Sequence, residues 1–163
     1  MTPDKRTDMF IAVAVVLVVA AVFVPVQSHE FINLDDDEYI TDNPHVSNGL
    51  TIDGLRWAFG FKTSQYWHPL TWVSLMTDAH VFGVRASAYH LVNLLIHIVN
   101  TLLLFLLFRR MTGDRWKSAV LAILFALHPT VVESVAWATE RKNTLSTFFW
   151  LLTMLAYVRY CDR

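Results

Sequence analysis

Long apolar runs are the feature that most constrains how this chain of 163 residues can fold. The run from Met9 to Val26 contains no charged side chain. A helix that crosses a bilayer core requires roughly 20 such residues. The run is long for the apolar region of a signal peptide, and no small-x-small cleavage motif follows it. The sequence therefore predicts an uncleaved first span over residues 9–27.

Three further apolar runs predict spans over residues 88–108, 118–138 and 144–160. Pro129 interrupts the third run, so we expect a kink or a helix end there. The chain is 55% hydrophobic and 17% charged, whereas a soluble domain is about a quarter charged. The predicted fold class is an all-α polytopic membrane protein with about four transmembrane helices.

The distribution of basic residues predicts an orientation for these spans. Eight of the 13 Lys and Arg residues lie in the N-terminal segment, in the short loop 109–117 and at the C-terminus. Basic residues concentrate in short cytoplasmic loops. Both termini are therefore predicted to be cytoplasmic and the loop 28–87 to be external. A net charge of −1 without a basic stripe gives no indication of a nucleic-acid partner, and one cysteine, Cys161, excludes an internal disulfide.

The predicted external loop 28–87 is rich in aromatic residues and contains two predicted short helices, Ile52–Phe59 and Leu70–Phe82, each with one apolar face. Such helices are typical of a membrane interface, where Trp and Tyr are enriched. The alternative is a small subdomain packed on its own core. The aromatic residues concerned are Trp57, Phe59, Phe61, Tyr66, Trp67 and Trp72.

A polar stripe crosses the second predicted span. His90, Asn93, His97 and Asn100 recur at spacings of three, four and three, which places them on one helix face. Polar side chains are costly against lipid, so this face should meet other helices or a wet cavity. Hydrogen bonds between helices and direct contact with a ligand both explain the stripe.

Four consecutive carboxylates, residues 35–38, follow the first predicted span. They could form an exposed acidic turn, a metal site or a catalytic base. The DDxxD spacing of metal-binding prenyl-diphosphate enzymes fails, and the histidines show no HExxH spacing, so no metal site is predicted. Neighbouring carboxylates raise one another's pKa, which suits a base that takes a proton from an alcohol. Arg141 and Lys142 lie on the same predicted side of the membrane, either for an anionic leaving group or as interface anchors.

Several blocks resemble the N-terminal part of the bacterial tetratricopeptide-repeat membrane glycosyltransferases, which are related to the transmembrane-and-TPR protein O-mannosyltransferases. The resemblance extends from about Phe31 to Arg159. The blocks are DDDEYITDNPHV, GLTIDGLRWAF, YWHPLTWVSLMTDAHVFG, YHLVNLLIHIVNTLLLF and HPTVVESVAWATERKNTLSTFFW.

This resemblance implies a fold of the GT-C type in a bacterial inner membrane. It also implies a polyprenyl- or dolichyl-phosphate sugar as donor, a protein Ser or Thr hydroxyl as acceptor and inverting transfer without a cofactor. By analogy Asp36 or Asp35 is the catalytic base and Arg141 holds the donor phosphate. The remaining residues of the matching HP…E…ER block, expected to shape the site, are His128, Glu133 and Glu140.

The family continues with more spans and helical repeats of about 34 residues, so we expect this chain to be a fragment that is inactive on its own. Two other functions fit the residues. One is a non-enzymatic membrane anchor for a protein-binding repeat domain. The other is a small transporter-like bundle that uses His90 and His97.

Overall fold

The computed structural model describes residues 3–60 and 67–162, and within these ranges all regular structure is helical. Phe61 and Tyr66 of the aromatic set lie outside the described residues. Short 3₁₀ turns occupy Val24–Ser28 and Ala138–Glu140, and a π turn occupies Asp37–Thr41. The α-helices are α1 (Pro3–Phe23), α2 (Pro44–Ser47), α3 (Ile52–Phe59), α4 (Pro69–Phe82), α5 (Ala86–Thr112), α6 (Arg115–Leu127), α7 (Val131–Ala136) and α8 (Arg141–Cys161).

Side-chain caps fix the starts of several helices. Asn43 accepts a hydrogen bond from the His45 N–H at the start of α2, and Thr51 accepts one from the Gly54 N–H at the start of α3. Asp114 accepts two from the first turn of α6, which lowers the pKa of its carboxyl. These caps satisfy N–H groups that have no partner inside a helix.

Two helical segments in the described ranges are long and apolar enough to cross a membrane, Lys5–Ser28 and Ala86–Thr112. The first and second predicted spans fall inside them. The all-α prediction is also confirmed. The fourth predicted span, residues 144–160, lies inside α8, whose 21 residues are long enough but carry more polar side chains. Four crossings therefore remain a prediction.

The third predicted span, residues 118–138, is not one continuous helix. Helix α6 has 13 residues, about 20 Å at 1.5 Å per residue, which is short of a bilayer core of roughly 30 Å. It ends because Pro129 forces the preceding residue out of the helical region, and His128 is extended at ψ 134°. Helix α7 resumes at Val131. The expected break at Pro129 is confirmed, but it divides the run in two.

Helix α5 is the central helix and contacts α1, α6, α7 and α8. Helix α1 runs antiparallel to it, since Asp8 pairs with Arg109 near the end of α5 at 3.3 Å. Helix α8 runs parallel to α5, and Arg110 pairs with Asp162 at 2.8 Å. Both ends of the described chain therefore lie beside the C-terminal end of α5.

At the opposite end of α5, helices α2, α3 and α4 pack with the π turn around a buried core. Trp57 meets Trp72 edge to face at 4.9 Å between ring centroids. These two tryptophans therefore support the second explanation of the aromatic residues, a subdomain with its own core, while Phe59 and Trp67 are exposed. Helices α3 and α4 occupy the predicted positions, but the buried face of α4 includes Thr71 and Asp78. The core residues are Ile40, Val46, Ala58, Trp72, Leu75, Met76, Tyr89 and Ala138.

Candidate functional site

The fold separates the four carboxylates of residues 35–38 into different environments. Asp36 is completely buried, Asp35 and Asp37 are half-buried, and Glu38 is exposed. The backbone is already helical at Asp36 and continues into the π turn that begins at Asp37, so successive side chains point in different directions. The run is therefore not a uniform acidic surface.

Asp36 holds two distant segments together. Its carboxylate accepts hydrogen bonds from the Thr139 N–H at 3.1 Å and from the Ile32 N–H at 2.9 Å. The buried Thr139 belongs to the 3₁₀ turn immediately before α8. With one bond on each carboxylate oxygen and no exposed surface, Asp36 connects the acidic loop to the start of α8.

Arg141 is also completely buried, and its guanidinium is occupied by four hydrogen bonds. Burial raises the pKa of its partner Asp78, and the adjacent guanidinium opposes that rise. A buried arginine is tolerated only when its donors are satisfied. Arg141 was predicted to hold a donor phosphate. In the structure it lies inside the protein, where it joins α8 to α4 and α5. Its acceptors are Asp78 at 2.7 Å, Ser74 at 2.8 Å, the Tyr89 carbonyl at 3.0 Å and the Asn93 amide oxygen.

A stack of rings forms one wall of the site. The His68 ring stacks on Trp72 at 4.9 Å and on Tyr39 at 5.8 Å between centroids. Burial lowers the pKa of His68, and the positive charge of Lys142 lowers it further. The imidazole is therefore neutral near pH 7. Its Nε2 atom is buried without a hydrogen-bond partner among the described residues.

Two cavities meet at His68 and Lys142. The larger, about 700 Å³, is mainly apolar, and the smaller, about 340 Å³, is lined by ionisable and aromatic side chains. The smaller cavity is lined by Asp35, Tyr39, His68 and Lys142. The larger cavity is also lined by His68 and Lys142, together with Phe59, Trp67, Pro69, Leu70, Thr71, Asn143, Leu145, Ser146 and Phe149.

Glu140 fixes the cation between the two cavities. Its carboxylate accepts a hydrogen bond from Lys142 Nζ at 2.5 Å and another from the Asn143 amide. The Glu140 side chain is 11% exposed, whereas the Lys142 side chain is 37% exposed. Glu140 therefore contacts a residue that lines both cavities, and its role in shaping a functional site stays a prediction.

His128 and Glu133 line neither of these cavities. His128 Nδ1 lies 2.8 Å from the Thr130 hydroxyl in the exposed turn between α6 and α7. Glu133 is exposed on α7. His128 instead borders a separate open groove of about 440 Å³ between α5 and α6.

The polar stripe of α5 binds other helices through three of its four members. Asn93 donates to the Trp137 carbonyl at 2.8 Å, and Asn100 donates to the Thr144 carbonyl at 2.8 Å. His97 Nε2 lies 3.0 Å from the Ala126 carbonyl. These contacts favour the interhelical explanation for those residues. His90 is also buried.

Sequence reasoning left out His68, Tyr39 and Asp78. His68 and Asp78 both occur in the block YWHPLTWVSLMTDAHVFG, and an Asp in the apolar pattern of a predicted helix is a signal for a buried ion pair. The placement of Tyr39 depends on the π turn, which has no sequence signature. No group of three or more His, Cys, Asp or Glu side chains that could hold a metal ion occurs in residues 3–60 and 67–162.

The residues around the two cavities place three chemical features next to one another. Asp35 is a carboxylate with access to a cavity, Lys142 is a cation, and the larger cavity offers apolar walls. A ligand with a hydrocarbon chain, an anionic group and a reactive head group would fit here, with the chain against the apolar walls, the anion at Lys142 and the head group near Asp35. A carboxylate beside the head group could accept a proton.

Comparison with known proteins gives a matching family and several similar relatives. Residues 70–163 match the family described as dolichyl-phosphate-mannose-protein mannosyltransferase. The chain is 30% identical over 148 residues to human protein O-mannosyl-transferase TMTC1, covering 82% of this chain and 16% of that protein. It is 34% identical over 134 residues to Tmtc2 of Drosophila melanogaster, covering 77% of this chain and 14% of that protein. The chain thus spans about a sixth or less of either relative. No solved structure matches it.

Proposed function

The chain belongs to the dolichyl-phosphate-mannose-protein mannosyltransferase family, and we propose that it forms the donor-binding and base-carrying part of a membrane protein O-mannosyltransferase. The donor is a mannose-like sugar on polyprenyl or dolichyl phosphate, and the acceptor is a protein Ser or Thr hydroxyl. The observation that carries this proposal is the junction of a mainly apolar cavity with a smaller one that is lined by Asp35 and Lys142.

The two cavities correspond to the two halves of such a donor. The first isoprene units lie in the larger cavity against Leu70, Leu145 and Phe149, where apolar surface is removed from water. The phosphate and sugar lie in the smaller cavity with Asp35 and Tyr39. This division orients the anomeric carbon toward the carboxylate.

Asp35 is the base in this proposal, and Asp36 positions it. Asp35 takes the proton of the acceptor hydroxyl while the hydroxyl oxygen bonds to the anomeric carbon. The bond between that carbon and the phosphate oxygen breaks, and polyprenyl phosphate leaves with the electron pair. A single displacement inverts the configuration. Asp36 is unsuited to the proton transfer because it is buried and already accepts two backbone hydrogen bonds.

Arg141 has a positioning role in this proposal, since its network holds α4, α5 and α8 in register around the cavities. His128 and Glu133 shape no part of the site formed by these residues. They are available to contact other regions of the enzyme.

We further propose that the chain is the N-terminal membrane region of a bacterial inner-membrane enzyme of the GT-C type with additional spans and tetratricopeptide repeats. In this arrangement both termini are cytoplasmic, and the loop 28–87 is external with the acidic run. The third crossing is discontinuous and consists of α6, the turn at Pro129 and α7. Broken helices are tolerated in a bilayer where protein covers them.

A photoreactive polyprenyl phosphate tests the site in the enzyme reconstituted into lipid nanodiscs. We expect crosslinks at Leu70, Leu145 and Phe149, because these side chains line the larger cavity. Leu145→Trp should fill the cavity and remove these crosslinks. Leu124→Trp, in the separate groove beside His128, is the matched control and should leave them unchanged. Crosslinks that lie in the groove of Leu124 and spare the larger cavity would contradict the proposal.

A further inference from the structure

Resting on the proposed function, we propose that His68 and Lys142 together bind the phosphate of the lipid donor, and that Glu140 holds Lys142 in position while the site is empty. This assignment differs from the one implied by the sequence resemblance, in which the phosphate contacts Arg141.

The location of the pair supports this role. His68 and Lys142 are the two residues that line both cavities. In a polyprenyl-phosphate sugar the phosphate is the group between the hydrocarbon chain and the sugar. A ligand that occupies both cavities must therefore place its phosphate where these two side chains meet.

His68 presents a fixed and unsatisfied hydrogen-bonding atom at this place. Stacking on Tyr39 and Trp72 holds the ring, and Nε2 is buried without a partner in the described residues. Most buried polar side-chain atoms in proteins are hydrogen-bonded, so an exception calls for an explanation. A ligand oxygen that accepts a hydrogen bond from Nε2–H satisfies the atom. The neutral imidazole can carry that proton on Nε2.

Lys142 supplies the charge. Its ammonium group has three N–H donors, and Glu140 accepts one of them at 2.5 Å. The lysine side chain is 37% exposed toward the cavities, so it can contact a phosphate without leaving Glu140. The other oxygen of Glu140 is bonded to Asn143, which keeps the carboxylate in place. Arg141 offers no comparable contact because its guanidinium is fully buried.

Two helices also begin at this junction. Helix α4 starts immediately after His68, and α8 starts immediately before Lys142. Neither N-cap side chain makes a capping hydrogen bond. The N-terminus of a helix carries partial positive charge and favours an anion. The first turns of both helices line the larger cavity next to the cation.

The test measures binding, so that it does not depend on transfer activity. A polyprenyl monophosphate and the corresponding polyprenyl alcohol are titrated separately into the full-length enzyme in detergent micelles. The wild type should bind the monophosphate at least tenfold more tightly than the alcohol. Lys142→Gln and His68→Phe should each weaken monophosphate binding about ten- to a hundredfold, as expected for loss of a hydrogen bond to a charged group. Binding of the alcohol should not change.

Matched variants separate the phosphate contact from general damage. His68→Phe keeps a ring for stacking, and Lys142→Arg keeps the charge and should retain most of the affinity. Lys117→Gln removes an exposed lysine on α6 and should bind like the wild type. Phosphatidylglycerol and inorganic phosphate, each at the concentration of the monophosphate, should not displace it. Displacement by either would overturn a site specific for prenyl phosphate.

Two negative outcomes are distinguishable. If the wild type prefers the monophosphate and both Lys142→Gln and His68→Phe keep that preference, the phosphate assignment is wrong and the proposed function stands. If the wild type binds monophosphate and alcohol equally, the proposed donor site fails together with the assignment.

Discussion

The adjacent residues Asp35 and Asp36 differ in burial and in hydrogen bonding. Asp36 is buried with each carboxylate oxygen bonded to a backbone N–H, whereas Asp35 borders the smaller cavity. The hydrogen bonds of Asp36 stabilise the fold, and the access of Asp35 to a cavity permits proton transfer. An assay of activity alone could not distinguish them, because loss of either side chain would disturb the site.

Stability measurements separate the two roles. We expect Asp36→Ala to lower the free energy of unfolding by about 1–3 kcal/mol, because the buried Thr139 N–H loses its acceptor. Asp37→Ala is the matched control, since the Asp37 carboxylate accepts a local bond from the N–H of the exposed Glu38. Thermal unfolding in detergent micelles gives both values. Equal stability of the two variants would show that the Asp36 bonds contribute nothing.

The sequence predicted that an aspartate of the acidic run is the candidate base, but not which aspartate side chain faces the cavity. The resemblance placed the catalytic pair at Asp35 and Asp36 without ordering them. Their difference depends on the π turn and on Thr139, which is 103 residues from Asp36 in the chain. Likewise, Arg141 looks like a free cation in the sequence, and only tertiary contacts with Asp78 and Asn93 use its donors.

At the scale of elements, α5 organises the chain because its polar side chains pair with backbone carbonyl groups of the segments packed around it. Helix α6 ends beside the middle of α5, so its last carbonyl groups have no continuing helix to bond them. His97 meets the Ala126 carbonyl at 3.0 Å and provides one such partner. The break at Pro129 therefore explains His97, whereas Asn93 and Asn100 bond the carbonyls of Trp137 and Thr144.

This explanation predicts a cost for removing His97. His97→Leu should destabilise the protein by about 1–3 kcal/mol, since the Ala126 carbonyl then lacks its donor. His97→Gln, whose amide can donate a hydrogen bond, should recover part of the loss. Thermal unfolding in micelles is the measurement, with the exposed His80→Leu as control. A His97→Leu variant as stable as the control would refute the capping role.

Element positions were largely predictable, because apolar runs and turn residues determine them locally. Helices α3 and α4 occupy the expected ranges, and α6 ends just before Pro129 as expected. The packing of Trp57 on Trp72 was only one of two explanations. An aromatic residue fits a membrane interface and a protein core equally well in a sequence.

At the scale of the whole molecule, the charged ends of the bundle lie far apart along α5. Asp8, Arg109 and Asp162 gather near its C-terminal end, and the candidate site lies near its N-terminal end beside Tyr89. The orientation in the membrane stays a prediction from the basic residues, in which the site faces away from the cytoplasm.

A labelling experiment tests that orientation. A membrane-impermeant maleimide should not react with the exposed Cys161 in spheroplasts until they are permeabilised. In a Cys161→Ser background, Asn48→Cys should react in intact spheroplasts, because Asn48 is exposed in the predicted external loop. Reaction of Cys161 from outside would place the C-terminus on the external face and contradict the predicted topology.

The most direct test of the central claim is mannosyl transfer by Asp35→Asn in the full-length enzyme, assayed in membranes with a polyprenyl-phosphate mannose and a Ser/Thr peptide. We expect a rate about 10²- to 10⁴-fold below wild type, the usual contribution of a general base, with the unfolding temperature unchanged. Glu38→Gln, exposed in the same run, should transfer at the wild-type rate. Transfer by Asp35→Asn at the wild-type rate would contradict the account.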